Sequence, residues 1–300
     1  MDKHTRIAFV GAGMVGKSLA VALHRAEYRV VAAASRSRAS AKELATLVPG
    51  CAAYETIQEA ADAADFVLIT SSDATIEPIA SGISWRPGQG VAHCSGVTSL
   101  DVFESAKADG ALVGAIHPLQ TFSSVEDAQK TLPGITYGIE GEEEIQDFLR
   151  QIAIDLGGNP ISLRPEDKPL YHASVVMMGG LLSGYIAHIA DIWGNLGIDR
   201  SLALKAVLPI AQGIVTTVGA VGIPAAVAGP YVRGDVGTVK KHLAVLRSRA
   251  PESLLVYAHM ALAGLPYAIE KGRLPDETAN EIRRLLVEAT RSATPTSQEA

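Results

Sequence analysis

The run Ile7-Ala-Phe-Val-Gly-Ala-Gly-Met-Val-Gly-Lys-Ser-Leu19 constrains this chain more than any other, because a short apolar segment breaks into spaced glycines and resumes with helical periodicity. Ile7 to Val10 suit a strand buried in a parallel sheet. Gly11 permits a sharp turn. Gly13 lacks the Cβ that would hold a pyrophosphate off the backbone, and Gly16 lets the next helix pack closely on the strand. That helix opens with Met14 and Val15 and continues through Leu19, Ala22 and Leu23. Its unpaired N–H groups and the positive end of its dipole face the turn. Strand, GxGxxG and helix in this order predict a dinucleotide site at Gly11, Gly13, Met14, Val15 and Gly16.

The next strand selects the cofactor. Arg29 to Ala34 end in Ser35-Arg36-Ser37-Arg38, where an NAD site places a carboxylate for the ribose 2′-hydroxyl. Two guanidiniums and two hydroxyls suit a 2′-phosphate instead, since arginine offers planar, charge-assisted forks to phosphate oxygens. NADP is the expected cofactor, bound by Ser35, Arg36, Ser37 and Arg38. Ser71, just past the buried strand Asp65 to Thr70, joins the expected cofactor set, while Asp73 suits a helix cap.

Strand and helix signals alternate to about residue 163 and then the strands stop. The expected architecture is α/β, a doubly wound sheet over 1–164 followed by an all-α domain over 165–291 and a disordered tail over 292–300. Leu170, Val175, Met178, Leu182, Tyr185, Ile189 and Trp193 place one apolar face on a long helix whose interior holds Gly179, Gly180 and Gly184. Further helices are expected over 202–218, kinked at Pro209, and over 236–249, 251–271 and 276–291.

The net charge of −6, with no cluster of lysines or arginines, argues against nucleic acid as a partner. With only two cysteines, neither a disulfide framework nor a zinc site is expected, and no metal is. No leader is read at the N-terminus and no stretch is read as a membrane span, so the expected location is cytoplasmic. The apolar content of the helical half, with Trp193, exceeds what a small domain needs to cover itself, which predicts a homodimer.

Three polar constellations suit chemistry. His93-Cys-Ser-Gly96 and His117-Pro-Leu-Gln-Thr121 each follow a predicted strand and so fall at the ligand-binding edge of the sheet. Ser95, His117 and Gln120 are expected to bind substrate, and Cys94 reads as a structural thiol. Lys168 and His172 stand one helical turn apart, so both can serve one substrate atom as proton-handling groups. In Gly229-Pro-Tyr-Val-Arg-Gly-Asp235, Arg233 suits a clamp on a substrate carboxylate, although a cap or ion pair at Asp235 explains the same residues.

Gly11-Ala-Gly-Met-Val-Gly16, His93-Cys-Ser-Gly96, His117-Pro-Leu-Gln-Thr-Phe122, Lys168-Pro-Leu-Tyr-His-Ala173 and Gly229-Pro-Tyr-Val-Arg-Gly-Asp235 together resemble the Rossmann-like proteins whose C-terminal half is a domain of unknown function. These are similar to the NADP-dependent reductases that include pyrroline-5-carboxylate reductase, ketopantoate reductase and the 3-hydroxyacid dehydrogenases. The last of these, and 6-phosphogluconate dehydrogenase, open their interdomain helix with a lysine that handles the substrate's proton and an asparagine four residues on. The resemblance places Lys168 on that lysine and His172 where the asparagine stands, and Ser95-Gly96 is similar to their substrate loop. It implies hydride transfer between NADPH and a small carbonyl or imine acid in an interdomain cleft. The alternatives are a dinucleotide sensor without turnover and an NADP reductase working with a deazaflavin coenzyme.

Overall fold

The computed structural model describes residues 1–292, and the described chain divides into two units, Met1–Gly179 and a second that begins at Gly180. The tail expected over 292–300 lies outside the described residues apart from Ser292, the last residue of a helix.

Unit 1 is built on eight strands: β1 (Arg6–Val10), β2 (Arg29–Ala34), β3 (Ala52–Ala53), β4 (Phe66–Ile69), β5 (Gly90–His93), β6 (Leu112–Pro118), β7 (Thr136–Gly141) and β8 (Asn159–Ser162). They form one sheet in the order β3-β2-β1-β4-β5-β6-β7-β8. Its helices are α1 (Met14–Arg25), α2 (Arg38–Leu47), α3 (Ile57–Asp62), α4 (Asp73–Ser81), α5 (Glu104–Ala108), α6 (Val125–Thr131), α7 (Glu143–Asp155) and α8 (Lys168–Val176). The central strands alternate their side chains between two cores. Ile7, Phe9, Phe66 and Leu68 face one side with α1 and α7, while Ala8, Val10, Val67 and Ile69 face the other. Burial on both faces is why these strands read as unbroken apolar runs.

The order reverses between β2-β1 and β4, which opens the crevice at strand C-termini where ligands bind in doubly wound sheets. The parallel pattern breaks at one pairing: β7 pairs antiparallel with β6, placing His117 opposite Gly138 and Ala115 opposite Glu140, and β8 runs parallel to β7. Glu140 is thereby delivered to the same end of the sheet as the loop after β5. Asp73 is not the cap itself. Ser72 occupies that position and Asp73 opens α4, where its carboxylate meets the positive end of the helix dipole.

Unit 2 holds α9 (Leu182–Ile192), α10 (Arg200–Val221), α11 (Pro230–Arg233), α12 (Val236–Arg249), α13 (Pro251–Glu270) and α14 (Asp276–Ser292). Val232, Val239, Leu243, Leu254, Leu265, Ile282 and Leu286 make its core, drawn from α11 to α14. The long helix expected from Lys168 is interrupted: Met177–Leu181, containing Gly179 and Gly180, forms a wider π turn between α8 and α9. Glycines there lower the cost of leaving the regular helix.

The expectation that no stretch resembles a membrane span needs correction. Pro165–Leu196 and Arg200–Val221, each holding an 18-residue window of mean hydropathy 1.5, are long and apolar enough to cross a membrane by length and composition. Ile210, Ile214, Val215 and Val221 of α10 lie exposed, and Ala203 is its one buried residue.

Candidate functional site

The glycine turn behaves as its spacing demands. Gly11 adopts φ +105°, and a Cβ there would lie 2.8 Å from Ser71 N and Thr70 C. A Cβ on Gly16 would collide with Gly11 O and lie 2.5 Å from Thr70 Oγ1. Thr70 Oγ1 donates to Gly11 O at 2.6 Å, so turn, β4 and α1 are locked together. Gly13 differs: a Cβ there meets nothing within 4 Å and would point into open space. It caps α1 without a side-chain hydrogen bond, leaving the first N–H groups of the helix for a ligand.

A cavity of about 660 Å³ opens at this turn, walled by Gly11, Gly13, Ser35, Arg36, Ser37 and Ser71 among others. Ser71 Oγ is buried and has no hydrogen-bond partner within the protein, an arrangement that calls for a ligand acceptor or donor. The cavity has the volume of a cofactor site and presents glycine backbone, hydroxyls and one guanidinium. These residues fit NADP. Arg38 does not join them, because its guanidinium pairs with Glu55 at 2.6 Å. Met14 and Val15 open α1 without lining the cavity. Ser40, Ser72 and Thr75, which do line it, escaped the sequence reading. Ser40 had left a signal: Ser37 caps α2 by accepting from Ser40 N at 3.3 Å, the usual spacing of a serine cap.

Farther along the same edge, the loop after β5, the end of β6 and the first turn of α8 come together. His117 Nδ1 lies 2.9 Å from Tyr171 OH, and the imidazoles of His117 and His172 pack edge to face with centroids 5.9 Å apart. Gly96 sits against both rings. A Cβ there would lie 2.7 Å from His172 Cδ2 and 2.8 Å from His117 Cε1. Burial, followed by the charges of His172 and Lys168, pushes His117 down to about 4, with Asp73 acting in the opposite sense. The ring is therefore neutral at pH 7. Burial likewise keeps the Tyr171 phenol protonated well above its ordinary range.

Lys168 is placed differently from the expectation of a free proton donor. Its side chain is 2% exposed, and Nζ bonds to Glu140 Oε2 at 2.6 Å and to Thr98 O. The ammonium thus ties α8 to β7 and to the loop after β5. Ser95 is also engaged within the protein: its Oγ donates to Thr98 Oγ1 at 2.8 Å and accepts from Thr98 N at 3.0 Å. Gln120 Oε1 accepts from Thr121 N at 2.8 Å, shaping the loop after β6. His93 is fully buried on Phe103, its Nδ1 accepts from Ser95 N, and burial with the charge of Lys168 pushes it down to about 3. Burial pushes the Cys94 thiol up to about 12, consistent with a structural rather than nucleophilic group.

In unit 2, Arg233 ends α11 between Gly229 and Gly234, both at positive φ, and is exposed. Asp235 caps α12, accepting from Thr238 N at 2.9 Å, which accounts for the carboxylate of that motif. Tyr231 packs against Gly264, where a Cβ would strike its hydroxyl.

Residues 2–118 match the Rossmann-like domain family, and residues 135–263 match a domain of unknown function, DUF2520. A search by sequence against curated proteins finds no match. Among solved structures, protein BF3122 of Bacteroides fragilis, a candidate NADP oxidoreductase, superposes with TM-score 0.68 at 24% identity over 87% of this chain and 98% of its own. A reductive aminase from Aspergillus terreus, solved with NADPH and ethyl-5-oxohexanoate, gives 0.59 at 17% identity over 96% and 94%. The 1-pyrroline-5-carboxylate reductase of Streptococcus pyogenes gives 0.57 at 15% identity over 97% and 100%. At these identities the likeness is one of fold. The chain is thus similar to the Rossmann-like domain family over residues 2–118 and to DUF2520 over residues 135–263.

Proposed function

We propose that the protein is an NADP-dependent oxidoreductase acting on a small carbonyl or imine acid. The observation that carries this reading is the pairing of two features on one sheet edge. The cavity holds an orphaned Ser71 hydroxyl and the Arg36 guanidinium, and the His117–Tyr171–His172 cluster lies at the end of β6. β1 and β6 are three strand spacings apart, roughly 14 Å, a span that a dinucleotide lying along the edge covers. Asp73, next to the cavity residue Ser72, acts on His117 through its charge, so cavity and cluster are electrostatic neighbours.

In this reading Gly11, Gly13 and the start of α1 receive the pyrophosphate, and Ser35, Arg36 and Ser37 the 2′-phosphate. NADPH supplies a hydride when bound. His117 and His172 orient the substrate and Lys168, through Thr98 O, holds the loop that carries Gly96. NADP oxidoreductase and reductase names among the structural neighbours agree with the assignment.

Titrating the purified protein with NADPH and NADH by nicotinamide fluorescence tests it. Saturable NADPH binding at least roughly tenfold tighter than NADH is expected from one charge-assisted phosphate contact. Absence of NADPH binding overturns the reading, while binding with no turnover of any oxo acid or imine favours a sensor.

The same proposal covers the exposed apolar face of α10 with a second copy of the chain rather than lipid. Pro165–Leu196 cannot lie in a bilayer while Lys168 is buried against Glu140 and His188 Nε2 lies 2.9 Å from Ser253 Oγ. Adjacent α10 carries Gln212, Thr216 and Thr217 among its apolar residues. Light scattering should give a dimer mass that Ile214→Asp reduces to the monomer; a wild-type monomer in detergent-free buffer refutes this.

A further inference from the structure

Resting on the oxidoreductase reading, we propose that Glu140 is a positioning residue: through Lys168 and Thr98 it seats the turn Ser95–Thr98 so that Gly96 closes on the imidazoles of His117 and His172. The placement begins with strand alternation. Tyr137 and Ile139 of β7 enter the core shared with α1 and α7, so Gly138 and Glu140 face the opposite way. The first turn of α8 settles on these two residues. Tyr171 OH would lie 2.7 Å from a Cβ on Gly138, and Lys168 Nζ bonds to Glu140 Oε2 at 2.6 Å. Lys168 and Tyr171 stand three positions apart on one helical face, and their two seats stand two positions apart on one strand face. α8 therefore has one register on β7.

From Lys168 the tie runs on to the loop after β5, because Nζ also donates to Thr98 O. Ser95 Oγ accepts from Thr98 N at 3.0 Å and from Val97 N at 3.3 Å and donates to Thr98 Oγ1 at 2.8 Å, which uses its one proton and both lone pairs. Ser95 thus has no hydrogen bond left for a substrate and instead makes the turn one unit. Ser95 N donates to His93 Nδ1 at 3.2 Å, pinning the other end of the turn to β5. Inside the turn, buried Gly96 lies against both rings, where a Cβ would stand 2.7 Å from His172 Cδ2 and 2.8 Å from His117 Cε1. So close a fit passes any shift of the turn on to the rings.

Stability alone does not account for the ion pair. Its side chains, 2% and 6% exposed, have given up their hydration, so a well-packed apolar pair would fasten α8 to β7 as firmly. An apolar side chain at position 168 would leave Thr98 O without its donor, and a lysine there without Glu140 would be an unpaired buried charge. Of the three groups only Glu140 belongs to the sheet, so its carboxylate sets where Nζ and, beyond it, Thr98 stand.

Glu140→Asp keeps both charges but draws the carboxylate back by one C–C bond, a change of position more than of charge. With full-length protein, NADPH and whichever member of a panel of oxo acids and cyclic imines turns over, kcat should fall roughly 10²-fold, the cost of a misplacement of about 1 Å, while NADPH affinity stays nearly unchanged. Ser95→Ala, which leaves the ion pair intact, should also lower kcat, and the double variant should be no slower than the slower single one, because both break one chain of contacts. Full kcat in Glu140→Asp, or losses that multiply in the double variant, overturn the proposal. Should no panel member turn over, ¹⁵N-glycine and ¹³C-histidine labels decide. In Glu140→Asp the Gly96 amide and the His117 and His172 ring signals should shift while the Gly11 and Gly13 amides stay in place; unmoved Gly96 and ring signals overturn it. If Glu140→Asp does not fold, the ring signals are read in Ser95→Ala with the same two outcomes. Failure of the underlying oxidoreductase reading is seen separately, as absence of NADPH binding in the fluorescence titration.

Discussion

Replacing Lys168 by methionine tests whether its ammonium is a structural group or a mobile proton donor. The side chain is 2% exposed and Glu140 6%, with Nζ also bonded to Thr98 O. Removing one partner of such a pair leaves a buried charge uncompensated, which costs about 3–5 kcal/mol. Lys168→Met combined with Glu140→Leu removes the stranded carboxylate and leaves only the Thr98 carbonyl without its donor, at a cost of about 1–3 kcal/mol. The double variant should therefore be more stable than the single one by roughly 2 kcal/mol. Urea unfolding followed by Trp85 fluorescence in a Trp193→Phe background reads unit 1 alone, because Trp85 is buried there with Nε1 donating to Ala80 O at 2.9 Å. If the ammonium instead served a substrate, Lys168→Met would lower kcat by roughly 10²-fold and leave the urea midpoint almost in place. A single variant costing less than about 1 kcal/mol, or a double variant no more stable than the single, would refute the assignment of Lys168 to the pair.

Arg36→Ala should weaken NADPH roughly 10- to 100-fold while leaving NADH unchanged, and Arg38→Ala should do neither, since Arg38 faces Glu55; isothermal titration with both cofactors separates them. Gly13→Ala should preserve the urea midpoint but impair NADPH binding, because its Cβ enters open space, whereas Gly16→Ala should lose about 1–3 kcal/mol through overpacking against Gly11 and Thr70. Stability should also fall on acidification. His93 and His117 titrate near 3 and 4 in the folded protein against an ordinary 6.5, so the unfolded chain binds protons first as pH drops. Their contribution is complete above about pH 7 and is lost from about 6.5 downward, His117 alone accounting for roughly 3 kcal/mol by pH 4. Urea midpoints from pH 7.5 to 5 should decline in the wild type and decline less in His117→Asn; a flat wild-type profile would contradict the neutral buried imidazoles.

The parts of this protein that were legible in its sequence are those whose physics is local. Gly11 and Gly16 announce themselves because a turn against Thr70 and Ser71 leaves no room for a Cβ, and that demand is met within a few residues of chain. Glu140 carried no such mark. Its meeting with Lys168 depends on β7 running antiparallel to β6, a reversal that alternating strand and helix signals do not report. Once that reversal is known, the role of Lys168 changes from a proton donor at the head of a helix to a buried tie between α8, β7 and the loop of Thr98. Tyr171 is the opposite case, a residue the sequence did offer. It stands three positions after Lys168 and so shares a helical face with it, yet spacing alone could not rank it against His172 four positions on. What distinguishes the two is Gly138 on a distant strand, whose missing side chain gives the phenol its place beside His117. In both instances the decisive partner is a residue on β7, so the chemistry of this edge depends on the strand at which the sheet reverses direction.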